Sequence, residues 1–142
     1  MVYFAYGSNL NEAMMMARCP GSKCLGTVML KGWRLAFRNY LTIEECQGEQ
    51  VPIGVWEVQD RDIRYLDDYE GYPELYRKEK MTIGNYEGFI YIMNERKIPY
   101  FPPTQDYLMT CAMGYSDFCM DKQYLVEALK RAFIEYERRY KK

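Results

Sequence analysis

From Cys24 to Val58, apolar runs follow one another at short spacing, and this stretch most restricts the architecture. Cys24 to Lys31 and Trp33 to Tyr40 read as strands separated by Gly32. Leu41 to Cys46 continues as strand, Gln47-Gly48-Glu49-Gln50 reads as a polar turn, and Pro52 to Val58 is strand again with Ile53, Val55 and Trp56 apolar. Strands so closely spaced, punctuated by turn residues, form a small twisted sheet or a barrel. A buried strand precedes them at Val2 to Ala5, and two follow, Leu75 to Ile83 and Tyr86 to Met93, joined at Gly84-Asn85.

Helices lie between and after these strands. Glu12 to Arg18 is a short methionine-rich helix ended near Pro20-Gly21. Asp60 starts a second, with Ile63, Leu66 and Tyr69 (or Tyr65 with Tyr69) at helical spacing, stopped by Gly71 and Pro73. Thr104 caps a third that runs to about Met113 and ends at Gly114; Asp121 caps the last. On that last helix Leu125, Ala128, Leu129, Ala132, Phe133, Tyr136 and Tyr140 share one face, as a core-facing helix requires. The pattern predicts an α+β chain.

Composition narrows the function classes. At 142 residues the chain fits one domain, 1–142, with a core of its own. The formal net charge is −1 with acidic and basic residues interspersed, so no nucleic-acid footprint is expected. No apolar run approaches the ~20 residues that span a bilayer, and Met1-Val2-Tyr3 enters a strand rather than a signal peptide. No membrane association is expected, and the cytosol is the expected compartment. The cysteine count of 5 is odd, and no Cys-x-x-Cys occurs, so reduced thiols and no metal site are expected.

The chain has 0 histidines, which removes Ser-His-Asp and Cys-His catalysis and the commonest general base. Proton transfers would fall to carboxylates, tyrosines, lysines or cysteines. With 15 tyrosines against 6 phenylalanines, buried phenols must find partners in backbone carbonyls or in a ligand.

Two stretches carry candidate chemistry. In Tyr3-Phe4-Ala5-Tyr6-Gly7-Ser8-Asn9-Leu10 a strand stops at a glycine turn before a helix begins at Asn11. Such a junction either presents free N–H groups to an anion or is a structural turn with Ser8 or Asn9 as the helix cap. In Leu66-Asp67-Asp68-Tyr69-Glu70-Gly71-Tyr72-Pro73-Glu74-Leu75-Tyr76-Arg77, Glu70 sits at a helix C-terminus between tyrosines. The helix dipole and aromatic desolvation both raise a carboxyl pKa there, toward the range of a base, with Arg77 available to offset the charge. The alternative is a solvated glutamate at a frayed end. Asp67 and Asp68 read as solvated helix face.

Together, Tyr6-Gly7-Ser8-Asn9-Leu10 and Leu66-Asp67-x-Tyr69-Glu70-Gly71 resemble the gamma-glutamylcyclotransferase family, including its AIG2-like members. Tyr76, Tyr91-Ile92-Met93-Asn94 and Thr104-Gln105-Asp106-Tyr107 with Ala112-Met113-Gly114 are similar to later family segments. The resemblance implies a small mixed-strand β-barrel flanked by helices. It implies a small-molecule γ-glutamyl substrate, amino-acid amide or amine amide, whose α-amine attacks its own γ-carbonyl to release 5-oxoproline, with no cofactor. Glu70 matches the catalytic acid/base. The Tyr6, Gly7, Ser8, Asn9, Leu10 loop matches the substrate loop, and Tyr76, Tyr91 and Tyr107 match pocket tyrosines. The Ile98 to Pro103 loop would bound the leaving group. A homodimer is allowed, with no interface located. Two other readings stand beside it: a non-catalytic γ-glutamyl or carboxylate binder, and a hydrolase of the same amides.

Overall fold

A computed structural model describes residues 1–95 and 98–141. The chain is α+β: a five-stranded mixed sheet with four helices against it. In order come β1 (Val2–Ala5), a 3-10 turn (Ser8–Leu10), α1 (Glu12–Arg18), β2 (Lys23–Arg38) and β3 (Tyr40–Glu57). A second 3-10 turn (Asp60–Asp62) leads into α2 (Ile63–Glu70), then β4 (Tyr76–Ile83), β5 (Tyr86–Met93), α3 (Gln105–Asp117) and α4 (Gln123–Tyr140). Among the described residues, no helix is long and apolar enough to cross a membrane.

The sheet order is β2-β3-β1-β5-β4. Its central strand β1 pairs antiparallel with β3 (Tyr3 opposite Trp56) and parallel with β5 (Tyr3 opposite Phe89). Phe4, Ile53, Val55 and Ile90 are fully buried and form the middle of the core. The apolar residues that alternate along the strands therefore meet under the helices.

The expected barrel does not close. The edge strands are β2 and β4, and no ladder joins them; across the open side the Tyr86 hydroxyl, at the start of β5, donates to the Leu25 carbonyl of β2 at 3.3 Å. Closure needs two backbones about 4.8 Å apart. Here the two edges are not paired, and Gly26, at φ 131°, breaks the register of β2.

Other element readings also change. The two segments either side of Gly32 are one long strand, and the two either side of Gln47–Gln50 are another. Those polar residues are not a hairpin turn. Lys31 opposes Gln50 and Trp33 opposes Glu45, so β3 carries its surplus residues there as a bulge. The hairpin turns instead at Asn39, in the left-handed region at φ 69°. Gly114 does not end α3, which runs on to Asp117. A Cβ on Gly114 would lie 2.6 Å from the Asn11 nitrogen, so this glycine lets α3 lie directly on the turn after β1. The stripe on α4 is only partly covered: Leu125, Ala128 and Ala132 are buried, whereas Phe133 is 49% exposed.

Candidate active site

The ends of two elements meet at the site. β1 delivers Tyr6, Gly7, Ser8 and Asn9 at its C-terminal end, and α2 ends opposite them at Glu70. Helix α2 stops because Gly71 takes φ 61°, and the Tyr72 N–H returns to the Asp67 carbonyl at 3.0 Å. The tight reversal leaves Glu70 on the last turn, aimed at the β1 loop. Both motifs line one cavity of about 240 Å³.

The turn after β1 has a particular polarity. The Leu10 N–H donates to the Gly7 carbonyl and the Asn11 N–H to the Ser8 carbonyl, each at 3.0 Å. Among the described residues, the N–H groups of Ser8 and Asn9 have no acceptor within the chain. Neither Ser8 nor Asn9 caps α1. Asn11 does, its side chain accepting from the Met14 N–H at 3.1 Å. Ser8 and Asn9 are buried, and their side chains point to site residues. Ser8 Oγ lies 2.7 Å from the Tyr69 hydroxyl. Asn9 Nδ2 donates to the Tyr3 hydroxyl at 3.0 Å and reaches Glu70 Oε1 at 3.5 Å. The Trp56 indole N–H holds the Asn9 carbonyl at 2.9 Å.

Leu10 is not part of the pocket. Its side chain is fully buried, filling the space that Gly54 leaves open, and its N–H is already used. It anchors the turn from below.

Glu70 opens onto the cavity but is otherwise enclosed by protein. Burial pushes its carboxyl up to about 8, and the nearby Arg18 guanidinium opposes this. Arg77, the expected counter-charge, turns away: it pairs with Glu79 at 2.8 Å and donates to the Met93 carbonyl. Asp67 is not solvated helix face either. It accepts from the Tyr91 hydroxyl at 2.6 Å and lies 2.7 Å from Lys78 Nζ.

Tyr6, Tyr76, Tyr91 and Tyr107 all line the cavity, with hydroxyls largely committed inside the protein. Tyr6 donates to the Tyr91 carbonyl at 2.6 Å, and Tyr76 donates to the Leu41 carbonyl at 2.7 Å. The Tyr107 hydroxyl accepts from the Leu41 N–H at 3.1 Å. Burial raises all four phenols, so they stay neutral where Glu70 titrates. Tyr3 accepts a hydrogen bond from Asn9 while keeping a proton of its own, whereas the Tyr107 hydroxyl also meets the Cys111 thiol.

Sequence reasoning missed Tyr3, Tyr40, Leu41 and Tyr69 as lining residues and Arg18 as the local cation. Tyr3 lay in the same stretch as the turn, but β1 is buried on both faces, so alternation did not single it out. Arg18 and Tyr40 carried no signal, because only the fold brings them here. The Ile98–Pro103 loop lies elsewhere. Phe101 bridges to Arg38 at the β2–β3 hairpin and stacks edge-on with Tyr136 at 5.2 Å.

The architecture defines a class: a small α+β domain whose mixed sheet carries a buried carboxylate facing a strand-end turn across one pocket. The chain belongs to the gamma-glutamyl cyclotransferase, AIG2-like family, whose model matches residues 3–109. A gamma-glutamylcyclotransferase from Bos taurus is 25% identical over 139 residues, covering 87% of this chain and 74% of its own. A solved gamma-glutamyl cyclotransferase structure superposes with a TM-score of 0.79 at 22% identity, covering 89% of this chain and 85% of its own. An AIG2-like protein from Mus musculus superposes with a TM-score of 0.57 at 18% identity, over 75% of this chain and 81% of its own. The two structures share the fold. Family and fold together support gamma-glutamylcyclotransferase-type activity.

Proposed function

We propose that the protein converts a γ-glutamyl amino acid or γ-glutamyl amine to 5-oxoproline and the free amino acid or amine, with Glu70 as acid/base. One observation carries this reading. Glu70 and the Gly7–Asn9 turn face each other across one cavity, with Asn9 Nδ2 3.5 Å from Glu70 Oε1. The Bos taurus relative's name supports the same reaction type.

The reaction is internal to the substrate. The α-amine attacks the γ-carbonyl, a C–N bond closes the five-membered ring, and the original amide C–N bond breaks. The amine enters as an ammonium, since such groups titrate near ~8 or above. Glu70, pushed up to about 8, is matched to it, so the proton passes between them with little driving force needed either way. Glu70 then returns that proton to the leaving nitrogen. Water is not consumed.

The rest of the pocket organises this step. The Ser8 and Asn9 N–H groups suit the substrate carboxylate or the developing oxyanion, where one fixed donor contributes about 3 kcal/mol. Neutral tyrosines wall off water. Holding the glutamyl chain folded supplies much of the acceleration, since good intramolecular alignment lowers a barrier by ~7–11 kcal/mol. The cavity, about 240 Å³, lies below the ~300–1,000 Å³ of drug-sized sites, which suits a glutamyl group with its leaving group toward Tyr40 at the mouth.

The test is a panel of γ-glutamyl amino acids and amines scored for 5-oxoproline with wild type and Glu70→Gln. Turnover by wild type on at least one member, lost in a folded Glu70→Gln protein, is the expected result. Wild-type turnover by Glu70→Gln sinks the assignment. Thermal stabilisation by these ligands without product marks a binding module instead.

A further inference from the structure

Behind the Glu70 pocket stands a cation that forms no ion pair among the described residues. Arg18, on the last turn of α1, appears in no salt bridge. Its guanidinium donates to Asn9 Oδ1 and lies 3.5 Å from the centre of the Tyr69 ring. Arginine carries donors only, so the Asn9 atom it meets must be the carbonyl oxygen. That fixes the amide the other way round for the pocket, with Nδ2 turned to Tyr3 and Glu70. The Tyr69 ring held beneath the guanidinium carries the hydroxyl that bonds Ser8 at 2.7 Å. One side chain thus grips both walls of the site, the turn after β1 and the end of α2.

The indirect arrangement has a chemical consequence. A guanidinium bonded straight to Glu70 would fill its lone pairs and hold it as a carboxylate. Acting through Asn9, the charge still reaches Glu70 while leaving its oxygens open to a ligand. We propose that Arg18 is a positioning residue for the Glu70 chemistry: it fixes the Asn9 amide and the Tyr69 ring that bracket the carboxylate, and lends it positive charge without bonding to it. This rests on the reading of Glu70 given under Proposed function.

The other groups facing Glu70 cannot supply that charge. Tyr3 and Tyr6 from the first strand and its end, Tyr76 from β4, Tyr91 from β5, and Tyr107 and Cys111 from α3 all have raised pKa values and are neutral near pH 8. Asp67 and Asp68, on Glu70's own helix, are acidic residues. Removing Arg18 therefore moves the Glu70 titration upward and frees Asn9 to rotate.

The experiment compares wild type, Arg18→Met and Arg18→Lys by carboxyl 13C NMR titration of Glu70, alongside kcat and KM on a γ-glutamyl amide. Arg18→Met is expected to titrate above wild type and to lose about tenfold in kcat with KM within about threefold, because a small misplacement of a reacting group is costly. Arg18→Lys keeps the charge but not the planar fork, so its titration stays near wild type while kcat recovers only in part. A folded Arg18→Met protein with wild-type kcat and an unmoved titration overturns the proposal. So does a loss of kcat with the titration unmoved, which makes Arg18 merely structural. Should Arg18→Met fail to fold, wild-type kcat in Arg18→Lys overturns the positioning role. The titration reads Arg18 even if Glu70→Gln keeps full turnover, an outcome that would sink the assignment of Glu70 alone.

Discussion

Glu70 shows how a single residue can be placed against the interest of stability. Folding moves its carboxyl from the ordinary 4.5 to about 8, chiefly by burial. Between those values the folded chain keeps a proton that the unfolded chain has released. Stability therefore falls as pH rises through that window, and the full penalty persists above pH 8. Glu70→Gln removes the penalty while keeping the shape. Its melting temperature should match wild type near pH 5 and exceed it at pH 8.5. With allowance for solvent in the open pocket, the gap is on the order of 5 °C. A gap that does not change with pH, followed by calorimetry, would contradict the raised carboxyl. The two motif glycines and Glu70 were legible in the sequence because each bears a local constraint: a turn, a helix stop, a charge in the wrong place on a helix. Arg18 was not legible, because its role depends on α1 packing beside α2.

At the scale of elements, the site depends on how closely α3 lies against the turn after β1. The contact is backbone on backbone at Gly114, with a hypothetical Cβ 2.6 Å from Asn11 N and 2.7 Å from the Leu10 carbonyl carbon. Neither neighbour is a flexible side-chain tip, so Gly114→Ala must push α3 outward. It should cost about 2 kcal/mol in denaturant unfolding, despite alanine's better helix propensity. It should also lower turnover, since the Tyr115 hydroxyl holds the Tyr6 carbonyl at 3.1 Å and Tyr107 lines the pocket from the same helix. A neutral or stabilising Gly114→Ala would show that the helix can shift freely. In sequence this glycine reads as a helix stop, the usual meaning of glycine after an apolar run. Close approach looks the same in one dimension. The Gln47–Gln50 segment misleads for a related reason, because a polar bulge inside a long strand has the composition of a turn.

For the whole molecule, the pocket belongs to no single element. Tyr3 and Tyr6 come from the first strand and its end, Tyr40 and Leu41 from the start of β3, Tyr69 and Glu70 from α2, and Tyr107 from α3. The order of strands in the sheet brings them together, with β1 between β3 and β5. Strand alternation and helical spacing made the α+β class readable, since both periods are written locally. Whether the sheet closes was not readable. That depends on whether the edges of β2 and β4 pair through backbone, and here they do not. In the proposed reaction this assembled pocket makes a substrate react with itself, Glu70 carrying the proton. Its most direct test is the mass of the product when a γ-glutamyl amide is turned over in H2(18)O. Cyclisation predicts unlabelled 5-oxoproline and free amine, with neither formed by Glu70→Gln. Glutamate carrying 18O in its γ-carboxyl would contradict it.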